Sequence, residues 1–259
     1  MKLGTCISYA DTANLSQAKS LGYDYIETSI SSFSNASDEQ ISEFCANLSE
    51  YKITCEAVNV LFGGDVKIIG ENIDLTRADE YLHRLFERTK NIGYKAVVFG
   101  SGRVRRYDEG FPKEKAIEQV INVCRDVIGK YAKKYGFALA VEELNKSETN
   151  LINTLSEAEY IASNSGCGVI ADYYHISLEN DNIKNMKNPG LIIHTHTSNI
   201  NRKYQKKTDA PEDIAGFIDF CGSLKSCGYN ARMSIEAGYD GEFKQASLES
   251  LEFLREVIK

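Results

Sequence analysis

Four segments of the chain end in side chains that can bind a metal or move a proton. FALAVEE (137–143) closes on Glu142 and Glu143, and GVIAD (168–172) on Asp172. LIIHTHT (191–197) carries His194 and His196, and RMSIEA (232–237) carries Glu236. Each is an apolar run of strand length, and an acid at the mouth of a buried strand is costly unless it is paired or coordinates a metal. Alternation along a strand assigns the faces. In FALAVEE, Leu139 and Val141 share a face suited to helices, so Ala138, Ala140 and Glu142 face inward and Glu143 points away. In LIIHTHT, Ile192, His194 and His196 share one face, with His196 nearer the mouth and His194 a further candidate for touching substrate. Glu142, Asp172, His196 and Glu236 then converge. Three carboxylates around an empty space repel one another and resist ionisation, and a divalent cation removes the conflict. An oxygen-rich set with one imidazole and no thiolate favours Mn²⁺ or Mg²⁺ and admits Co²⁺ or Zn²⁺.

The elements that must position these groups repeat along the chain. Strand-length apolar runs at 3–8, 23–29, 53–60, 95–100, 137–143, 168–172, 191–197 and 232–237 alternate with helical stretches. The helices fit near 12–20, 38–50, 75–92, 114–135, 154–164, 179–187, 211–226 and 244–258. The clearest is 114–135, where Ile117, Val120, Ile121, Cys124 and Ile128 return at three- and four-residue steps. Strands alternating with helices imply right-handed crossovers and a parallel sheet. Eight units in 259 residues predict an α/β fold, one (β/α)8 barrel spanning residues 1–259 as a single domain. No Gly-x-Gly-x-x-Gly follows the first strand, which argues against a dinucleotide site. Function in such a barrel gathers at the C-terminal ends of the strands, where all four ligand candidates lie.

Composition narrows the partners. A net charge of −7 argues against a nucleic-acid backbone, which needs clustered Lys and Arg. No apolar run approaches the roughly 20 residues of a membrane span. The N-terminus shows no apolar export core, and seven scattered cysteines without a C-x-x-C pair suit reduced thiols, so the expectation is a cytoplasmic protein with a small-molecule partner. Assembly into a homo-oligomer is left open.

The motifs at these strand ends resemble the xylose isomerase-like TIM barrels, which include ketose 3-epimerases, hydroxypyruvate isomerases and inosose dehydratases. V-E-E-L-N-K-S-E (141–148) is similar to the epimerase segment in which a metal-binding, proton-abstracting Glu is followed six residues later by a second Glu. The resemblance makes Glu142 ligand and base, and Glu148 a substrate contact. A-D-Y-Y-H (171–175) implies Asp172 as ligand and His175 as substrate contact. H-T-H-T-S-N-I-N-R (194–202) implies His196 as ligand and Arg202 as substrate contact, and S-I-E-A (234–237) implies Glu236 as fourth ligand and second acid/base. The implied activity is a metal-dependent sugar isomerase or epimerase that removes a proton beside a carbonyl through an enediolate. A lyase or dehydratase using the same site, including β-elimination from a keto-glycoside, is the alternative, and a non-catalytic sugar-binding barrel is a third reading. A trinuclear-zinc nuclease is disfavoured by the presence of only four histidines.

The first half offers fewer signals. Glu27, near a strand's mouth, reads either as a support for the site or as a rim ion pair, and Glu56 is a second strand acid. Tyr9, Asn59 and Phe62 sit where they could line a pocket. The loop F-G-S-G-R-V-R-R-Y (99–107) has glycines that permit close backbone approach, and its Arg103, Arg105 and Arg106 could clasp an anionic substrate group or remain solvated. His83, within a helical stretch, reads as structural.

Overall fold

The structure, a computed structural model, describes residues 1–63 and 66–259. Eight parallel strands close into a barrel in chain order: β1 (Lys2–Cys6), β2 (Tyr25–Ser29), β3 (Thr54–Asn59), β4 (Ala96–Phe99), β5 (Ala138–Glu142), β6 (Gly168–Asp172), β7 (Ile192–Thr197) and β8 (Arg232–Ile235). Closure is direct, because β1 pairs with β2 on one side and with β8 on the other. The outer layer is built from α1 (Thr12–Leu21), α2 (Asp38–Glu50), α3 (Leu75–Thr89), α4 (Lys113–Asn122), α5 (Gly129–Tyr135), α6 (Leu155–Ser165), α7 (Tyr173–Glu179), α8 (Pro211–Ser226) and α9 (Phe243–Val257).

The barrel interior is filled by a few side chains of graded size. Tyr25, Ala57 and Ala96 form one buried group, and Val98, Ala140 and Ile170 another. Ala140 therefore sits on the inner face of β5, as alternation predicts, and Glu142 follows it two residues on. The large apolar side chains fill the space between sheet and helices. In α3, Ala78, Leu82, Leu85 and Phe86 make the stripe that is buried there.

Three local departures from the sequence expectation bear on the site. The helix expected at 179–187 instead starts at Tyr173, immediately after β6, because Asp172 caps it: its carboxylate accepts from the Tyr174 N–H at 2.8 Å. It ends at Asn180 in the left-handed conformation, and only a short 3-10 turn at Ile183–Asn185 follows. The helix expected over 114–135 is continuous in span but contains a π-helical stretch, Val123–Ile128, between α4 and α5. In β7 the pairing with β6 shifts so that Val169 faces Ile192 and Ile170 faces His194. That bulge places Ile193 in the barrel floor against Val98, Ala140 and Ile170, while Ile192 joins the main core; Ile192 does not share the histidines' face as expected. Gly168 makes room, since a Cβ there would lie 2.7 Å from the Ile193 side chain.

Candidate metal centre

Glu142, Asp172, His196 and Glu236, from the ends of β5 to β8, meet above the barrel floor. Their donor atoms lie within 4.8 Å of one another. His196 Nδ1 is the hub: it lies 3.5 Å from Glu142 Oε1, 3.8 Å from Asp172 Oδ2 and 3.3 Å from Glu236 Oε2. His196 Nδ1 and Glu142 Oε1 are buried and have no hydrogen-bond partner. Orphaned buried polar atoms call for an ion or a water, and three carboxylates with one imidazole suit a divalent cation.

Each ligand candidate is aimed by a second group. Asp172 uses Oδ1 to cap α7, which turns Oδ2 toward the centre. Glu236 follows β8, and its backbone N–H donates to Thr197 O at 3.1 Å. Its Oε1 accepts from Asn59 Nδ2 at 2.7 Å, and Oε2 faces His196 and Arg202. Glu142 Oε2 occupies space left by Gly100, where a Cβ would fall 2.0 Å from it. Only glycine fits there without moving the carboxylate.

Beneath His196 lies the group whose role the sequence left undecided. Glu27 is 0% exposed and is shared by two imidazoles: Oε1 pairs with His196 Nε2 at 2.9 Å and Oε2 with His194 Nε2 at 2.8 Å. Ser234 Oγ donates to Oε2 at 2.6 Å, and Tyr25 OH lies 2.7 Å from that hydroxyl. Glu27 is thus a support for the site rather than a rim ion pair. By taking Nε2 it leaves Nδ1 free to coordinate, the carboxylate–histidine arrangement that orients metal-binding imidazoles. Glu56, by contrast, pairs at the barrel's other end with Lys2 at 2.6 Å.

The charges divide unevenly. Burial raises the Glu142 carboxyl above the usual carboxylate range, more than the His196 imidazole can offset. Burial acts on Glu236 as well, but His196 and Arg202 outweigh it and hold the group low. Burial of Glu27 is likewise overcome by His196 and His194, which hold it low. His196 itself resists the downward pull of burial and is raised by Glu27 and Glu236.

The expected substrate contacts surround this centre. His175 is buried, and its Nδ1 accepts from the Asn145 backbone N–H at 3.1 Å, which leaves the proton on Nε2. Nε2 has no partner and lies 3.7 Å from Asp172 Oδ2. Glu148 stands at the mouth with its side chain 46% exposed and accepts from Asn145 Nδ2 at 3.0 Å. Arg202 lies over the Tyr174 ring at 4.4 Å, reaches Asp172 Oδ2 at 3.3 Å and bonds Glu236 Oε2. Its backbone φ of 56° is in the left-handed region, a strained conformation of the kind that clusters at functional sites. Asn145 and Tyr174 escaped the sequence reading, because an amide in a loop and a phenol in the first turn of α7 carry no pattern of their own.

Other expectations are corrected or made specific. His194, a candidate for touching substrate, is fully buried below His196 and committed to Glu27. Glu143 points away from the centre but not to solvent: it is buried, and its Oε1 accepts from the Asp172 N–H at 2.9 Å. The three arginines of the 99–107 loop do not form a shared clasp. Arg103 and Arg106 are exposed, while Arg105 is 0% exposed and turned inward. Phe62 packs on Phe99 and Tyr81, and Tyr9 on Phe33. His83 is exposed on α3 beside Tyr131. A cavity of about 420 Å³ opens beside Glu236 and is lined by Ser8, Thr28, Ser29, Ser32, Asn59 and Arg202 among others. A larger groove of about 490 Å³ between α7 and α8 contains none of the four ligand candidates.

The sequence matches the family described as xylose isomerase-like TIM barrel over residues 15–257. The chain belongs to that family. Among relatives of this xylose isomerase-like barrel is 3-dehydro-D-guloside 4-epimerase of Escherichia coli strain K12, 26% identical over 214 residues that cover 76% of this chain and 79% of the relative. D-psicose 3-epimerase of Ruminiclostridium cellulolyticum is 27% identical over 135 residues, 50% of this chain and 44% of that one. A solved D-psicose 3-epimerase with D-tagatose, from Clostridium cellulolyticum H10, superposes with a TM-score of 0.83 over 100% of both chains at 22% identity. These relatives are named epimerases, enzymes of the isomerase class that the sequence motifs imply. No helix among the described residues is long and apolar enough to cross a membrane.

Proposed function

We propose that this chain is a divalent-metal-dependent sugar epimerase or isomerase that removes a proton from the carbon beside a carbonyl. The observation that carries the reading is the convergence of Glu142, Asp172, His196 and Glu236 with His196 Nδ1 and Glu142 Oε1 buried and unpartnered. These four would hold one Mn²⁺ or Mg²⁺ ion, which when bound supplies Lewis-acid stabilisation of negative charge on the substrate oxygens. Glu142, raised by burial, is the base: it takes the C–H proton, and the bonding pair moves toward the carbonyl oxygen to give an enediolate. Glu236, held low by His196 and Arg202, starts ionised; it takes up a proton from solvent and returns it to the opposite face of the enediolate, while Glu142 gives the abstracted proton back to solvent. The His175 Nε2–H donates to a substrate oxygen, Glu148 accepts from a hydroxyl at the mouth, and Arg202 orients the substrate.

The cavity beside Glu236 offers the hydroxyls of Ser8, Thr28, Ser29 and Ser32. Its one cation, Arg202, is already paired with Asp172 and Glu236, which supports a neutral sugar, either a free ketose or the keto-glycoside that the guloside epimerase's name describes. Incorporation of solvent deuterium into a panel of ketoses, ketose phosphates, inososes and keto-glycosides tests the reading. Exchange at the carbon next to the ketone, dependent on added Mn²⁺ and abolished by chelation, is expected for a neutral member of the panel. Absence of exchange throughout, or exchange that survives chelation, overturns it.

A further inference from the structure

Arg105 is a buried cation with too few partners. It is 0% exposed, and its Nη1 donates to Phe99 O at 3.3 Å, while Nε and Nη2 have no acceptor. A charge this deep is expensive unless it is balanced nearby. Burial pushes its pKa down to about 10, against the upward pull of Glu142 and Glu143. Glu143 shows the converse defect: Oε1 holds the Asp172 N–H, Oε2 is buried without a donor, and burial raises the carboxyl well above the usual carboxylate range, with Asp172 and Glu142 adding to it. Thr149 Oγ1, on a residue that packs against Gly102, is a fourth buried and unpartnered atom.

The chain is built to bring these groups together. Gly100 lies against Glu142, and a Cβ on Gly102 would fall 2.9 Å from Leu144 and 3.2 Å from Glu148 O. The loop after β4 therefore presses onto the segment that follows β5, and the 3-10 turn Gly102–Arg105 directs Arg105 into the wall. Phe99 pairs with Val141 in the β4–β5 ladder, so Arg105 Nη1, on Phe99 O, is held at the strand end from which Glu143 projects, and ordered water between the leftover donors and Glu143 Oε2 would satisfy both.

We propose that Arg105 is a positioning residue for the metal centre: through a bridging water it partners Glu143, whose other oxygen fixes the backbone of Asp172. Loss of the cation leaves Glu143 uncompensated and loosens the β5–β6 rim that aims two of the four ligands. The proposal rests on the metal-centre reading above, and two readouts separate their failures.

The test uses the full chain with Arg105→Met, Arg105→Lys, Glu143→Gln and the Arg105→Met/Glu143→Gln double variant. Mn²⁺ affinity and the unfolding midpoint are measured for each. Outer supports of metal ligands typically change affinity by roughly 10–100-fold, and Arg105→Met should weaken Mn²⁺ binding by about tenfold or more. Arg105→Lys should recover part of that loss. Adding Glu143→Gln to Arg105→Met should restore affinity and midpoint toward wild type, because it removes the unpaired charge while its amide oxygen still accepts from Asp172. If Arg105→Met does not fold, folding of the double variant supports the pair and its failure overturns it. Strictly additive midpoints with unchanged Mn²⁺ affinity also overturn the proposal. A wild-type chain that binds no Mn²⁺ would remove the metal-centre reading and the positioning role with it, while coupling in the midpoints would still decide whether Arg105 and Glu143 are partners.

Discussion

The two halves of the barrel contribute different kinds of residue. Strands β5 to β8 end in the four groups that converge, one from each strand end. Strands β1 to β4 supply no member of that set. They supply supports for three of its members: Glu27 of β2 under His196, Asn59 of β3 on Glu236, and Gly100 after β4 against Glu142. A donor set of like charge is not self-supporting, so half the barrel is spent on fixing orientation.

Replacing a ligand should do the most damage. Glu142→Gln should abolish proton exchange and weaken Mn²⁺ binding, because it removes both the base and a donor; exchange and metal titration on the same preparation check both. Retained exchange would break the assignment of the base to β5. Next comes the support beneath. Glu27→Gln should reduce Mn²⁺ affinity by roughly 10–100-fold while leaving all four donors in place, since one amide oxygen cannot accept from both imidazoles. An affinity equal to wild type would show that the first half is not a support at all.

Gly100→Ala probes the same comparison by volume alone. The new Cβ competes with Glu142 Oε2 for the same space, so catalytic exchange should fall severalfold or more with the unfolding midpoint much less affected. Asn59→Ala removes a hydrogen bond to a carboxylate, worth roughly 1.5–3 kcal/mol for a charged partner, and should lower kcat/KM by about tenfold or more. The smallest effect belongs far from the centre. Glu87, at the end of α3, is drawn down to about 2 by Lys134, Tyr135 and Lys90. Its folded-state pKa is depressed, so its contribution is present above the ordinary value near 4.5 and lost as pH falls toward 2. Glu87→Gln should therefore lower the midpoint slightly at neutral pH and not at pH 2, with exchange unchanged.

The same division explains what was legible in the sequence. The convergence of Glu142, Asp172, His196 and Glu236 could be read because each lies at the end of a strand-like apolar run and alternation turns Glu142 and His196 inward, a rule that depends only on neighbours. The eight-unit repeat was legible for the same reason. Glu27 was not, because the partners that define it stand 167 and 169 residues away and an inward acid looks like a rim acid until they are placed. Asp172 concealed a second role: the residue that ends β6 also caps α7, so the helix begins where a loop was expected. The bulge in β7 escaped because a shift of register leaves no trace in an unbroken apolar run. Arg105 shows the limit for charged loops. The loop's composition announced three arginines but gave no indication that one of them turns inward.

The most direct test of the account is to count and locate the metal. The chain is loaded with Mn²⁺, desalted and assayed for bound ion, and a crystal of it is measured for anomalous scattering. One tightly bound ion per chain is expected, with its density among Glu142, Asp172, His196 and Glu236. Two or three tight ions, none, or a single ion elsewhere would contradict it.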